Sequence, residues 1–231
     1  MLLNPFHQNE ELICSFGDCQ FDYDEVIKQK EIYVGDTTVE VKKLYFAEQI
    51  HSDSVFQLTD DLIINVSNTS NIIPQVDALI THIKGIFLSV KYADCIPVLI
   101  YDVAKKVIAG IHSGRTGTEK NITGKTIRKL QEIYKSDPSD CIVALGPAIC
   151  DSHYPVSKEI FEEFIEKTEV SQVYPFLDLK KVVYKQLSDS GISEDKIVDF
   201  PFCTFEDENY YSYRRDRTLK RQISFIGIKN G

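Results

Sequence analysis

Three short segments carry side chains suited to binding a metal: Gln49-Ile50-His51, Ala93-Asp94-Cys95-Ile96-Pro97 and Ile111-His112-Ser113-Gly114. Together they offer one thiol and two imidazoles. Catalytic zinc sites are commonly built from three such ligands, with a fourth position left for water. The wide separation of the three is unlike the tight CxxC clips of zinc fingers. Taken singly, a histidine is more often a surface or core residue than a ligand, and a cysteine is more often a small buried hydrophobe. Spacing alone leaves both readings open. Without a metal, the same residues fit a Cys/His hydrolase with Cys95 as nucleophile and His112 or His51 as its base, a layout suited to amide bonds, including peptidoglycan-precursor editing.

The elements that must position these residues are mostly strands. Gly85 to Tyr92, Ile96 to Tyr101 and Val107 to His112 are apolar and rich in branched residues, as buried strands are. Pro97 lacks a donor, so a bend or an edge is expected there. Gly114 and Gly117 follow His112 and allow close approach of a ligand. Ser113 to Thr118 breaks the pattern, and a helix is expected to run from there to about Lys135. Short strands are expected at Glu11 to Phe16, Glu31 to Val34, Val39 to Phe46, Leu62 to Val66, Asp77 to Thr81, Cys141 to Leu145, Ile197 to Phe200 and Gln222 to Ile228. Ser157 and Asp178 are suited to cap helices running to about Lys167 and to the Gly191 stop. Hairpins mix with single helices instead of alternating βαβα. The expectation is an α+β fold, one domain over residues 1–231, with layered mixed β-sheets and flanking helices.

Acidic residues outnumber basic ones 35 to 26, for a net charge of -9. Nucleic acid and anionic membranes need a dominant positive field, so neither is expected as a partner. The first residues turn polar too quickly for a signal peptide, and no apolar run approaches the ~18 residues that span a bilayer. A cytoplasmic protein is expected, and its six cysteines then read as reduced thiols. Cys14, Cys19, Cys141, Cys150 and Cys203 are expected to be inert, and His7, His82 and His153 are left as ordinary histidines.

Five motifs resemble the bacterial laccase-domain family, also described as multicopper polyphenol oxidase-like and as purine nucleoside phosphorylases. They are Gln49-Ile50-His51, Ala93 to Pro97, His112 to Gly117, Gly146-Pro147-Ala148-Ile149 with Tyr154-Pro155-Val156, and Tyr211-Ser212-Tyr213-Arg214-Arg215-Asp216. The resemblance implies a laccase-domain, cysteine-hydrolase-type fold and one catalytic Zn²⁺ held by His51, Cys95 and His112. It also implies phosphorolysis of purine nucleosides (adenosine, inosine, guanosine, methylthioadenosine) and deamination of adenosine. The expected partners are a purine nucleoside and phosphate, in a monomer or homodimer. A multicopper centre needs more histidines than the five present, so copper fits less well.

A bound metal would activate water for attack at C6 of adenine, which requires a proton carrier nearby. Asp94 is a candidate for that role, or for orienting a ligand histidine. Arg214, Arg215, Arg217, Lys220 and Arg221 form a basic run in an acidic chain, and Arg214 or Arg215 suits bidentate phosphate binding. Gln49, Arg115, Tyr154 and Tyr213 complete the expected substrate site. Two features depart from the family pattern: Arg115-Thr116 stands in place of Trp-Arg, and the usual Gly-Gly-x-Ser opening is missing. A non-catalytic protein that binds metal or nucleoside is the alternative from a different class.

Overall fold

The computed structural model describes residues 4–6, 8–62 and 71–230. Its thirteen named strands are β1 (Leu12–Phe16), β2 (Glu31–Val34), β3 (Thr37–Glu40), β4 (Leu44–Ala47), β5 (Val55–Gln57), β6 (Ile72–Ile73), β7 (Ala78–Thr81), β8 (Phe87–Tyr92), β9 (Ile96–Asp102), β10 (Val107–Ser113), β11 (Cys141–Leu145), β12 (Ile197–Asp199) and β13 (Gln222–Ile228). A five-stranded sheet has the order β1-β13-β8-β4-β6, and a six-stranded sheet the order β12-β11-β9-β10-β7-β5. Both are mixed: β4 runs parallel to β8 and β6, and β5 parallel to β7, among antiparallel neighbours. The fold is α+β, as its sequence pattern implies.

Period-two alternation explains the layers. In β9, Ile96, Val98 and Ile100 face a core shared with helices, whereas Leu99 and Tyr101 face the other sheet. Leu88, Ile226 and Ile228 meet them from the five-stranded side. The opposite faces of β8 and β13 bury Phe87, Ile223 and Phe225 against the β2–β3 hairpin and against α1 (Tyr23–Val26). Glycine brings the sheets close at one point: a Cβ on Gly110 would lie 3.3 Å from the Leu88 side chain.

Helices cover the outer face of the six-stranded sheet: α2 (Arg115–Glu119), α3 (Ile122–Tyr134), α4 (Lys158–Thr168) and α5 (Leu179–Asp189). Ser157 and Asp178 cap α4 and α5 as expected, accepting from the Ile160 and Lys181 amides. Gly191 follows α5 in the left-handed region, at φ +89. A further short helix, α6 (Tyr213–Asp216), opens the basic run.

Several boundaries differ from the sequence expectation. Val39 to Phe46 is two strands, β3 and β4, separated by a 3-10 turn at Val41–Lys43. The helix after β10 begins already at Arg115 and restarts at Ile122, where Asn121 caps the Gly124 amide. Pro97 lies inside β9, a central strand, without a bend. Pairing with β11 stops at Val98, and beyond it only the Pro97 carbonyl is used, by the Gly146 amide at 2.9 Å. Of the strand expected at Leu62 to Val66, residues 63–66 lie outside the described residues.

That Gly146 contact is tight. A Cβ there would lie 2.5 Å from Phe16 Cδ1 and 2.6 Å from Pro97 Cγ. Gly146→Ala is therefore expected to destabilise the protein by about 1–3 kcal/mol through overpacking. An unchanged urea midpoint would show that the neighbours yield freely.

Candidate active site

Three parallel strands of the five-stranded sheet, β4, β6 and β8, hand the chain to the six-stranded sheet on the same side, and the crossing from β6 to β7 ends at Asp77. Two crossings carry candidate ligands: Glu48 to Ser54 joins β4 to β5, and Ala93 to Cys95 joins β8 to β9. Three non-glycine residues in these two crossings adopt positive φ: Gln49 (63), His51 (59) and Asp94 (84). That backbone region is unfavourable for residues with a Cβ, and such strain gathers at functional sites. The Gln49 side chain spans the gap, donating from Nε2 to the Lys91 carbonyl (2.6 Å) and accepting at Oε1 from the Lys91 amide (2.8 Å).

The crossings bring His51 and Cys95 to the end of β10, where His112 sits. One ligand atom from each lies within 4.8 Å of the others. The two imidazoles meet edge-on, with centroids 4.9 Å apart. Register explains the opening between them. Ser113 pairs with Ile96, so Gly114 lies across from Cys95, and a Cβ on Gly114 would come 2.9 Å from Cys95 Sγ and 3.1 Å from His51 Cδ2.

Asp77, just before β7, holds the arrangement together. Its carboxylate accepts from the His51 amide (3.0 Å), the Ser52 amide (2.6 Å), the Ser52 hydroxyl (2.8 Å) and His112 Nδ1 (2.8 Å). An ionised acceptor at Nδ1 puts that ring proton on Nδ1 and leaves Nε2 available to a metal. Burial raises the Asp77 pKa, but the bonds from His112 and Ser52 outweigh it and hold the carboxyl below its usual range.

Around the metal-free triad, burial pushes the Cys95 thiol up, while His112 and His51 pull it down further, to about 6. Burial lowers His112, but Cys95 and Asp77 raise it to about 9. By contrast, burial drives Cys14 and Cys141 up to about 12. The donor set, the space at Gly114 and the orientation of His112 all fit a single bound metal ion.

The triad lines a cleft of about 630 Å³. Of the expected substrate residues, Gln49, Arg115, Tyr154, Tyr213 and Arg214 line it as well, as does Asp94, the expected proton carrier or orienting carboxylate. Arg115 pairs with the buried carboxylate of Glu119. Tyr154 lies under the Arg214 guanidinium, 4.6 Å from its ring centroid, and burial keeps its phenol above the ordinary range. Asp94 accepts from the Thr204 hydroxyl (2.8 Å) and the Arg214 amide (2.7 Å), so it holds the start of α6. The carboxylate bonded to a candidate ligand histidine is Asp77, not Asp94.

Arg215 is a correction. It does not line the cleft; its guanidinium donates to the Thr204, Phe205 and Tyr210 carbonyls and forks onto Asp216. With its donors spent on the 204–210 loop, it fixes backbone instead of phosphate. Lys91 takes a place in the cleft that the motifs did not give it. A single Lys within the apolar run Phe87 to Tyr92 was its signal. Burial and then the neighbouring Arg221 pull its ammonium below the usual range, against the opposing pull of Glu48, Asp24 and Asp77. Asp77 had no comparable signal, since an Asp before a strand is commonplace.

Two outcomes follow. Asp77→Asn is expected to weaken metal binding by about 10–100-fold, the usual effect of losing a ligand's hydrogen-bond partner; chelator competition measures it. In metal-stripped protein, the stabilisation from the low Cys95 pKa is lost as pH falls through about 6, and that from the high His112 pKa is lost as pH rises through about 9. The thiolate–imidazolium pair thus persists between those limits. Alkylation of Cys95, followed by peptide mass mapping, should titrate near pH 6; a midpoint near the ordinary ~8.5 would refute the pairing.

The chain matches the family described as Multi-copper polyphenol oxidoreductase laccase over residues 12–229. The purine nucleoside phosphorylase Cj1217c of Campylobacter jejuni is 33% identical over 199 residues, covering 83% of this chain and 80% of that protein. The purine nucleoside phosphorylase CA_C1699 of Clostridium acetobutylicum is 34% identical over 193 residues, covering 80% and 77%. Among solved structures, YlmD from Geobacillus stearothermophilus superposes with a TM-score of 0.78 at 24% identity, covering 99% of this chain and 94% of that one. The hypothetical protein YfiH of Bacillus licheniformis gives 0.75 at 27% identity, covering 83% and 76%. With all three candidate ligands inside the matched span, the chain belongs to the multi-copper polyphenol oxidoreductase laccase family.

Proposed function

We propose that this protein is a zinc-dependent purine nucleoside phosphorylase that also deaminates adenosine. The observation that carries this reading is the composition of one cleft: a Cys/His₂ triad shares it with Lys91, Arg115, Arg214, Arg217 and Arg221. The names of the relatives supply the reaction. A Cys/His₂ set also occurs in sites for one copper ion with a weak axial ligand. Zinc is the better match to three such donors with one position open.

Phosphorolysis forms a bond from a phosphate oxygen to C1′ of the ribose and breaks the C1′–N9 bond, whose electrons leave with the purine. The departing purine takes up the proton that the hydrogen phosphate loses, so the products are a purine base and ribose-1-phosphate. Cleft cations hold the phosphate and offset its charge in the transition state. Arg214 is the best placed of them, because Asp94 fixes its amide and its Nη1 is anchored on the Pro155 carbonyl at 2.7 Å. Tyr154, kept protonated by burial, offers a ring to stack on the base and a hydroxyl to donate. Deamination replaces the C6 amino group with oxygen from water and releases ammonia; a zinc ion bound by the triad would supply the activation of that water. Asp94 serves the site by holding Arg214.

A second reading rests on the Cys95–His112–Asp77 series, in which a lowered thiol, a raised imidazole and an orienting carboxylate follow the logic of a Cys/His hydrolase. Such an enzyme would work without metal.

Incubation with adenosine separates these readings. Phosphate-dependent adenine and ribose-1-phosphate, and phosphate-independent inosine, are expected, and both are expected to disappear in His112→Ala and after metal removal. Absence of both product types from zinc-loaded protein would overturn the proposal. Arg214→Ala is expected to raise KM for phosphate by about 10–100-fold, the weight of a charge-assisted contact. Unchanged phosphate dependence would remove Arg214 from the site.

A further inference from the structure

Three residues left as inert or ordinary by sequence converge with a glutamate outside the cleft. Cys150, His153, Cys203 and Glu206 place one ligand atom each within 4.8 Å of one another, and none of them lines the cleft. We propose that they form a second metal site, a structural Zn²⁺ site that braces one wall of the cleft. The inference does not depend on the reaction performed there.

The sequence arrangement is paired: Cys150-x-x-His153 and Cys203-x-x-Glu206. Each pair is wound into a tight turn. The Cys150 carbonyl accepts from the His153 amide (3.2 Å), and the Cys203 carbonyl accepts from the Glu206 (3.2 Å) and Asp207 (3.0 Å) amides. Two ligands three residues apart on each of two turns is the spacing of structural zinc sites. The two segments are tied together by a bridge between Ala148 and Cys203, and by the Cys150 amide pointing at Cys203 Sγ at 3.3 Å.

The three edges that meet at His153 are close to those of a tetrahedron. His153 Nδ1 lies 3.1 Å from Cys150 Sγ, 3.8 Å from Cys203 Sγ and 3.4 Å from Glu206 Oε1. Zinc bonds of about 2.0–2.3 Å at tetrahedral angles give ligand–ligand edges of about 3.3–3.8 Å. The ring of His153 is fixed by stacking on Phe205, with centroids 4.5 Å apart. Two sulfurs, one imidazole nitrogen and one carboxylate favour Zn²⁺ over Mg²⁺ or Ca²⁺, and four protein ligands close the sphere as structural sites do. Glu206 is exposed and Cys150 half-buried, so an ion can enter from solvent.

Both segments reach the cleft. The Ile149 amide donates to the Asp94 carbonyl (3.0 Å), Thr204 donates to the Asp94 carboxylate, and Tyr154 follows His153 directly. An ion joining the turns would hold Asp94 and Tyr154 from behind.

Metal stoichiometry of the full chain tests this. Stripped protein refilled with Zn²⁺ and dialysed is expected to hold two equivalents. Cys203→Ser should hold one, and His112→Ala should hold one at the other site. Co²⁺ in His112→Ala should show a sulfur-to-cobalt charge-transfer band that Cys150→Ser added to it abolishes. Should a cysteine variant fail to fold, Glu206→Ala, at an exposed position, is expected to bind the second equivalent at least about tenfold more weakly and the first unchanged. One equivalent in both wild type and Cys203→Ser would overturn the proposal. So would a Cys150–Cys203 disulfide in zinc-loaded protein, seen as the loss of two hydrogens in intact mass.

Discussion

The buried carboxylate of Asp77 is the constraint on which the site depends. A carboxylate taken out of water must be compensated by donors. Here the donors are the backbone of one candidate ligand, the residue after it and the ring of another. Satisfying one buried charge thus fixes His51 in its left-handed conformation and fixes His112 in one orientation. Asp77 also uses its backbone, since its carbonyl accepts from the His112 amide at 2.8 Å and its amide donates to Ser54. The end of the six-stranded sheet and the crossing from β4 are therefore locked to each other by the protein's own hydrogen bonds.

The wider architecture serves the same end. Two parallel neighbours, β4 and β8, both hand the chain to the opposite sheet, so their exits lie side by side. Left-handed residues are the local requirement of these sharp exits, and the two sheets provide the rigidity that sustains them. The cations come from three elements: Lys91 from the last residues of β8, Arg115 from the start of α2, and Arg214 from α6. Arg215 and Asp94 spend their hydrogen bonds on holding that last segment in place, which explains how a short exposed helix can present a fixed guanidinium.

Much of this was legible in sequence because the signals were local. The strand Gln222 to Ile228 and the strand Cys141 to Leu145 stand where their branched residues put them, and Ser157 and Asp178 cap the helices that they announce. The convergence of His51, Cys95 and His112 at one cleft, with Arg214 beside them, was carried by motifs. What escaped depends on contacts distant along the chain. Asp77 is defined by partners 25 to 35 residues away, Arg215 differs from Arg214 only in which direction it leaves the helix, and Cys150 meets Cys203 only because Ala148 pairs beside it. Pro97 illustrates the reverse: the rule against proline in a central strand was sound, but β11 ends one residue before it would apply.

The bond between Gln49 and Lys91 has a consequence for how the Gln49-Ile50-His51 segment should be understood. Once β4 turns away, β8 would be left with an unpaired amide and carbonyl at Lys91. The primary amide of Gln49 supplies a donor and an acceptor in the arrangement of a peptide group, so it acts as a surrogate peptide and adds one rung to the ladder after the main chain has departed. Neither a carboxylate nor an ammonium could do both. The glutamine is thus a piece of sheet made from a side chain, and it frees the backbone two residues later to aim an imidazole where no strand residue could point.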